Sequence, residues 1–148
     1  MSRLRRTLAR LLPARDPVPV TDSIGYAPER NGQPDPGEVV WGWVPYEDDP
    51  TQGKDRPVLL IGTRGDTWLG LMLTSKDHDL DAADEARHGR HWMDVGAGGW
   101  DRTYRPSEVR LDRLLELGPE AIRREGAAIS PDIFVRVVAA AREYHTFT

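Results

Sequence analysis

Residues 37–62, GEVVWGWVPYEDDPTQGKDRPVLLIG, hold two strand-like runs joined by a polar segment, and they limit the chain more than any other stretch. Over 38–44 the residues alternate. Val39, Trp41 and Trp43 fall on one side, Val40 and Val44 on the other, as a strand with two different faces requires. Residues 57–61 form an unbroken apolar run (Val58, Leu59, Leu60, Ile61) behind Pro57. At that length the run reads as a buried strand rather than a helix, and a proline at its head suits a first-strand or edge position. Between the runs, residues 45–56 carry two prolines, a glycine, four acids, Lys54 and Arg56. A connection that long between adjacent strands is unusual unless it is functional or disordered. Arg56 is thereby expected where a mobile loop meets a rigid strand.

The 148 residues suit one domain with a real core. Lys and Arg total 20 against 24 Asp and Glu, a mildly acidic balance that speaks against a dedicated duplex-binding domain and leaves room for a local basic groove. The absence of cysteine removes a disulfide framework, a thiolate zinc site and a cysteine nucleophile. No window approaches the ~18 apolar residues of a membrane span. The basic start resembles a signal peptide, but Arg10 interrupts its short apolar part. A soluble, cytoplasmic protein without membrane contact is the expectation.

Along the chain, leucines at 4, 8, 11 and 12 between arginines give residues 1–12 a helical stripe, packed on the core or a partner chain, or touching RNA or a membrane surface. Residues 13–36 are proline-rich and read as a linker or surface strap, so the chain divides into an arm over 1–36 and a compact unit over 37–148. A turn over 62–66 leads to a strand over 67–73, a short helix is expected around 80–88, and further strands over 92–95 and 105–111. The cluster Gly96, Ala97, Gly98, Gly99 reads as a turn and lacks a phosphate-cradle pattern. Residues 112–117 and 119–125 are expected to be helical or turn-like. Ser130, Pro131 and Asp132 mark a helix start, with Ile133, Phe134, Val137, Val138 and Ala141 on one stripe. Strands followed by helices give an α+β class, mainly β, as a small antiparallel barrel with C-terminal helices.

Gly37-Glu38-Val39-Val40-Trp41, followed after a loop by Gly53-Lys54-Asp55-Arg56-Pro57 and an apolar strand, resembles the MazF/PemK family of toxin–antitoxin endoribonucleases. Thr74-Ser75-Lys76 at the next strand's end extends the similarity, which covers roughly residues 37–117; Met72 stands where the family usually has proline. The resemblance implies an SH3-like barrel that dimerises, a cognate antitoxin, and cleavage of single-stranded RNA without a metal by Arg56 and Thr74.

The chemistry of those side chains agrees with that role. Cleavage through the 2′-hydroxyl passes through a phosphorane with extra negative charge, and a permanently charged, forked guanidinium matches two phosphate oxygens. The stiff Thr74 hydroxyl suits positioning of a non-bridging oxygen. Gln52, Lys54, Ser75 and Lys76 flank the pair as candidate RNA-backbone contacts. No general base stands out; His78, four residues beyond Thr74, titrates in the right range. Arg102 and Arg105 interleave with Trp100 and Tyr104 as in single-strand binders, while Trp41, Trp68 and Trp100 are assigned to the core. His88, His91 and Asp94 lack a metal-ligand spacing, and no cofactor is expected. Taken singly, Arg56 reads as a surface arginine paired with Asp48, Asp49 or Asp55, and Thr74 as an ordinary strand end. The competing function is a non-catalytic SH3-like barrel that binds a protein or peptide, favoured by the acidic balance, the acids over 77–85 and Met72.

Overall fold

The computed structural model describes residues 21–29, 33–76 and 82–147. The helix expected over 1–12 and the candidate base His78 lie outside them. Eight strands and two helices follow in the order β1 (Asp22–Ile24), β2 (Glu38–Pro45), β3 (Gly53–Arg64), β4 (Thr67–Thr74), α1 (Ala82–Arg87), β5 (Trp92–Gly96), β6 (Ser107–Arg110), β7 (Leu115–Leu117), β8 (Ile122–Ala128) and α2 (Pro131–Ala141), with a 3-10 turn at Pro119–Ala121 before β8. The class is mainly β with a C-terminal helix, as the sequence implies.

The sheet is antiparallel and runs β5-β6-β4-β3-β2-β8, with β1 added to β3 and β7 to β4. Its terminal strands β5 and β8 are not joined, so among the described residues the sheet is open rather than the closed barrel expected. The central hairpin β3–β4 turns at Gly65 and Asp66, where Gly65 takes φ +60°. A side chain is strained in that left-handed region, and glycine is not.

Period-two alternation along β2, β3 and β4 feeds two apolar clusters, one on each sheet face. Val39, Leu59, Ile61, Leu69, Leu71 and Leu73 join Phe134, Val137, Val138 and Ala141 of α2. Val40, Val44, Val58, Leu60 and Met72 join Leu115 and Leu117. The apolar run at 58–61 is buried because both of its faces are covered. The helix starts where expected, with Ser130 as N-cap accepting from the Ile133 N–H, and it ends at Ala141. Tyr26 crosses to it, edge-on to Phe134 at 5.3 Å, and donates its hydroxyl to the Ile129 carbonyl.

Three expectations need correction. The polar connection is only residues 46–52, because β2 runs on to Pro45 and β3 begins at Gly53; the ladder continues through Val44–Lys54 and Pro45–Gly53. Arg56 is therefore inside a strand, opposite Gly42. Residues 115–117 are a strand, with Leu115 and Leu117 buried and Glu116 exposed, an alternation that pairing with Trp68, Leu69 and Gly70 of β4 stabilises. Residues 122–128 are a strand pairing with β2, not part of a helix. Gly126 allows that pairing, since a Cβ there would come within 2.1 Å of the Val39 carbonyl oxygen. The helix propensity of its Arg, Glu and Ala is a weak preference that sheet pairing overrides.

Leu59→Ala should destabilise the fold by about 3 kcal/mol through lost burial plus a residual cavity, and Ser130→Ala by about 1 kcal/mol through the lost cap. Urea unfolding of each variant checks both. A Leu59→Ala protein as stable as the wild type would contradict the two-faced burial of β3.

Candidate functional site

The register of the central hairpin builds the site. β3 and β4 pair as Leu59–Leu71 and Val58–Met72, and the ladder stops there. The next residue of β3 is Pro57, whose nitrogen has no hydrogen to contribute. Beyond that point β4 turns to β6, pairing Leu73 with Val109 and Thr74 with Glu108. Continuing the same count would set Arg56 against Thr74. They stand instead on opposite lips of the slit where the two strands part, and both line a cleft of about 150 Å³. Lys54, Ser75, Trp41, Asp101 and Arg105 contribute to its wall.

Arg56 engages no hydrogen-bond or ion-pair partner among the described residues, and two of the acids that could neutralise it, Asp55 and Asp49, are occupied elsewhere. Asp55 pairs with Arg123 at 3.4 Å, and Asp49 accepts from the Thr51 N–H and hydroxyl. Opposite Arg56 on β2 is Gly42, so no side chain of that strand stands directly across from it. Thr74 Oγ1 accepts from the Lys76 N–H at 3.2 Å, which uses an oxygen lone pair and leaves the hydroxyl hydrogen to donate outward.

The cleft's far wall is fixed by a chain of hydrogen bonds. The Trp41 indole donates to the Trp100 carbonyl at 2.9 Å, and the Trp100 indole donates to Ser107 Oγ at 3.1 Å. Asp101 accepts from the Thr103 N–H, the Thr103 hydroxyl and Arg105 Nε. The Thr103 N–H, with the other two donors, outweighs burial and holds the Asp101 carboxyl below its ordinary range. Arg105 is therefore tied to Asp101, and among the described residues Lys54 and Arg56 supply the unpaired positive charge of the cleft.

A second cavity of about 350 Å³ adjoins the first and shares Arg56 with it. Arg90, Arg110 and Arg113 line it beside Tyr46, Glu47 and Asp48. Arg110 is buried and held from two sides, by Glu47 at 2.6 and 3.1 Å and by Asp112 at 2.8 to 3.2 Å. Arg113 donates to the Pro45 carbonyl at 2.7 Å.

Of the candidate residues, Arg56, Thr74, Lys54 and Ser75 come together in one cleft. Lys76 lines a neighbouring cavity of about 380 Å³ with Ser75 and Ser107. Gln52 is exposed at the end of the loop and lines neither. Arg105 lines the cleft and Arg102 does not. Trp100 is core as expected, whereas Trp41 is half-buried and forms the cleft wall. The arginine cavity was not foreseen. Arg110 alternates with the apolar Val109 and Leu111 and so reads as solvent-facing; in the fold it is buried and pairs with Glu47 from a distant loop.

Burial pushes the Asp112 carboxyl up, but hydrogen bonds from Arg110 and the His91 N–H outweigh it and hold the group below its ordinary value. A depressed carboxylate contributes stability above its unfolded pKa and loses it as the pH falls through the folded one. Asp112→Asn should therefore cost about 3 kcal/mol at neutral pH, the gap to wild type closing as the pH falls below about 4. Urea unfolding at neutral and acidic pH reads this directly, and a gap independent of pH would remove the charge from the account.

No curated protein matches the sequence. A family model described as PemK-like, MazF-like toxin of type II toxin-antitoxin system matches residues 35–145. That span takes in β2 to β8, both helices and every residue lining the cleft. The chain belongs to the PemK-like, MazF-like toxins of type II toxin–antitoxin systems.

Proposed function

We propose that this protein is an endoribonuclease toxin that cleaves single-stranded RNA without a metal, with Arg56 and Thr74 at the scissile phosphate. The observation that carries the reading is the slit between β3 and β4, where an unpaired guanidinium on one lip faces a hydroxyl with a free proton on the other.

In the proposed reaction the 2′-hydroxyl of the substrate adds to phosphorus and the bond to the 5′-oxygen breaks. The 2′-oxygen loses its proton and the departing oxygen gains one. Charge grows on the non-bridging oxygens between these events. Arg56 clamps two of them with its planar fork and keeps its proton throughout, so it stabilises charge rather than transferring a proton. Thr74 donates to one of the same oxygens and fixes the phosphate for in-line displacement. Lys54, Ser75 and Lys76 grip the neighbouring backbone, with Gln52 at the loop end, and His78 is the candidate base. The positive charge of the cleft favours an anionic ligand, because Asp55 and Asp101 are already paired with arginines.

As a type II toxin the protein has an antitoxin partner. We further propose that it works in the cytoplasm as a homodimer. No helix among the described residues is long and apolar enough to cross a membrane.

Purified protein incubated with a long single-stranded RNA in EDTA should give discrete cuts. Arg56→Ala should lower the rate by ~10³-fold and Thr74→Val by ~10²-fold, the range for removing a preorganised donor from developing charge. Both variants should keep the wild-type circular dichroism. Full activity in a folded Arg56→Ala protein would sink the assignment, and a folded wild type that cuts nothing in a varied RNA pool would return the binding-module reading.

A further inference from the structure

The arginine cavity is larger than its structural role explains. Four guanidinium groups, Arg56, Arg90, Arg110 and Arg113, line about 350 Å³ of space. Arg90 is held by Glu85, and Arg110 is shared between Asp112 and Glu47. Arg56 and Arg113 have no carboxylate in the described ion pairs, although Asp48 also lines the cavity. Burial and the positive fields of Arg110 and Arg56 depress the Arg113 guanidinium despite the opposing pull of Glu47, the direction expected where cations are crowded.

The two acids on Arg110 differ in kind. Asp112 is part-buried and comes from the chain segment right after β6, and it takes Nε and Nη2. Glu47 is half-exposed, comes from the 46–52 loop, and takes Nη1 and Nη2 with its two oxygens. That two-pronged grip on the end of a guanidinium is also the grip of a phosphate. Glu47 therefore occupies an anion position, from a loop, beside a wall that holds more arginines. Tyr46 precedes it, exposed at the cavity wall, where a ring can stack on a base.

We propose that this cavity is a second phosphate site, which takes a phosphodiester of single-stranded RNA next to the one cleaved, and that Glu47 holds the place until the strand displaces it. The proposal rests on the RNA reading above and adds to it a subsite and a competitor built into the loop. Continuity comes from Arg56, which lines both cavities: a strand whose scissile phosphate lies at the slit reaches the arginine cavity past the same guanidinium. Freed from Arg110, Glu47 swings into solvent, and the phosphate inherits a buried cation already oriented by Asp112.

The test is binding of a fluorescently labelled single-stranded oligodeoxynucleotide, which has no 2′-hydroxyl and is not cut, followed by anisotropy over a range of salt. Arg113→Gln should weaken binding about tenfold and lower the slope of log K against log salt by about 0.7, the loss of one single-strand phosphate contact. Glu47→Gln should act in the opposite sense and tighten binding about threefold or more, as expected when a competing charged hydrogen bond is removed. Because Glu47 is half-exposed, that variant keeps the proposal falsifiable if Arg113→Gln proves unstable. A strand bound equally by wild type and both variants would overturn the second site and leave the RNA reading standing on Arg56. Absence of strand binding, with inorganic pyrophosphate raising the melting temperature of wild type but not of Arg113→Gln, would overturn the nucleic-acid assignment of both cavities.

Discussion

The site depends on where two strands stop pairing. β3 and β4 form the spine of the sheet and zip together from the Gly65 turn as far as Val58 and Met72. Two more pairs, Pro57–Leu73 and Arg56–Thr74, would have set the guanidinium and the hydroxyl side by side in a continuous ladder. Pro57 lacks the donor that would continue it, while β4 goes on to pair with β6 on its other side. The parting leaves a slit with rigid lips, so a guanidinium and a hydroxyl face a shared space without either lying on a flexible loop. Preorganised donors around developing charge need that rigidity.

Charge at the site is arranged by occupation rather than by total. The chain carries more acid than base, yet most acids near the cleft are committed. Asp55 is held by Arg123, Asp101 by Arg105 and the Thr103 N–H, Asp112 by Arg110 and the His91 N–H. Among the described residues, Lys54 and Arg56 are the cleft cations left without a carboxylate partner. Net charge bears on solubility and long-range steering, and it is a poor guide to the potential inside a cleft a few ångströms wide. The same commitment makes the buried Arg110 cluster tolerable, since a buried cation persists only with its donors satisfied.

Legibility in the sequence followed the range of the interaction. Strands β2, β3 and β4 were visible because alternation and apolar runs are local consequences of burying one or two faces, and helix α2 because Ser130 and Pro131 mark its start chemically. Strands β7 and β8 were not. Leu115 and Leu117 give too short an alternation to outweigh a neighbouring Leu114, and the residues of β8 favour a helix locally. Both became strands because an unfilled edge of β4 or β2 was there to pair with. Arg56 and Thr74 were found through a family pattern rather than through their own chemistry, since either side chain alone fits an ordinary surface.

By itself, then, the sequence determined a mainly antiparallel sheet around 37–74, a capped C-terminal helix, and the order in which the cleft residues arrive, because periodicity, capping and proline stereochemistry act over a few neighbouring residues. The tertiary structure decided the rest. It carried β3 back to Gly53 and put Arg56 inside a strand. It left the sheet open among the described residues, moved Trp41 from core to cleft wall, and brought Glu47 against Arg110 across 63 positions of sequence. Those outcomes depend on which edges and faces meet after the hairpin has formed, and contacts of that separation leave no local trace in the chain.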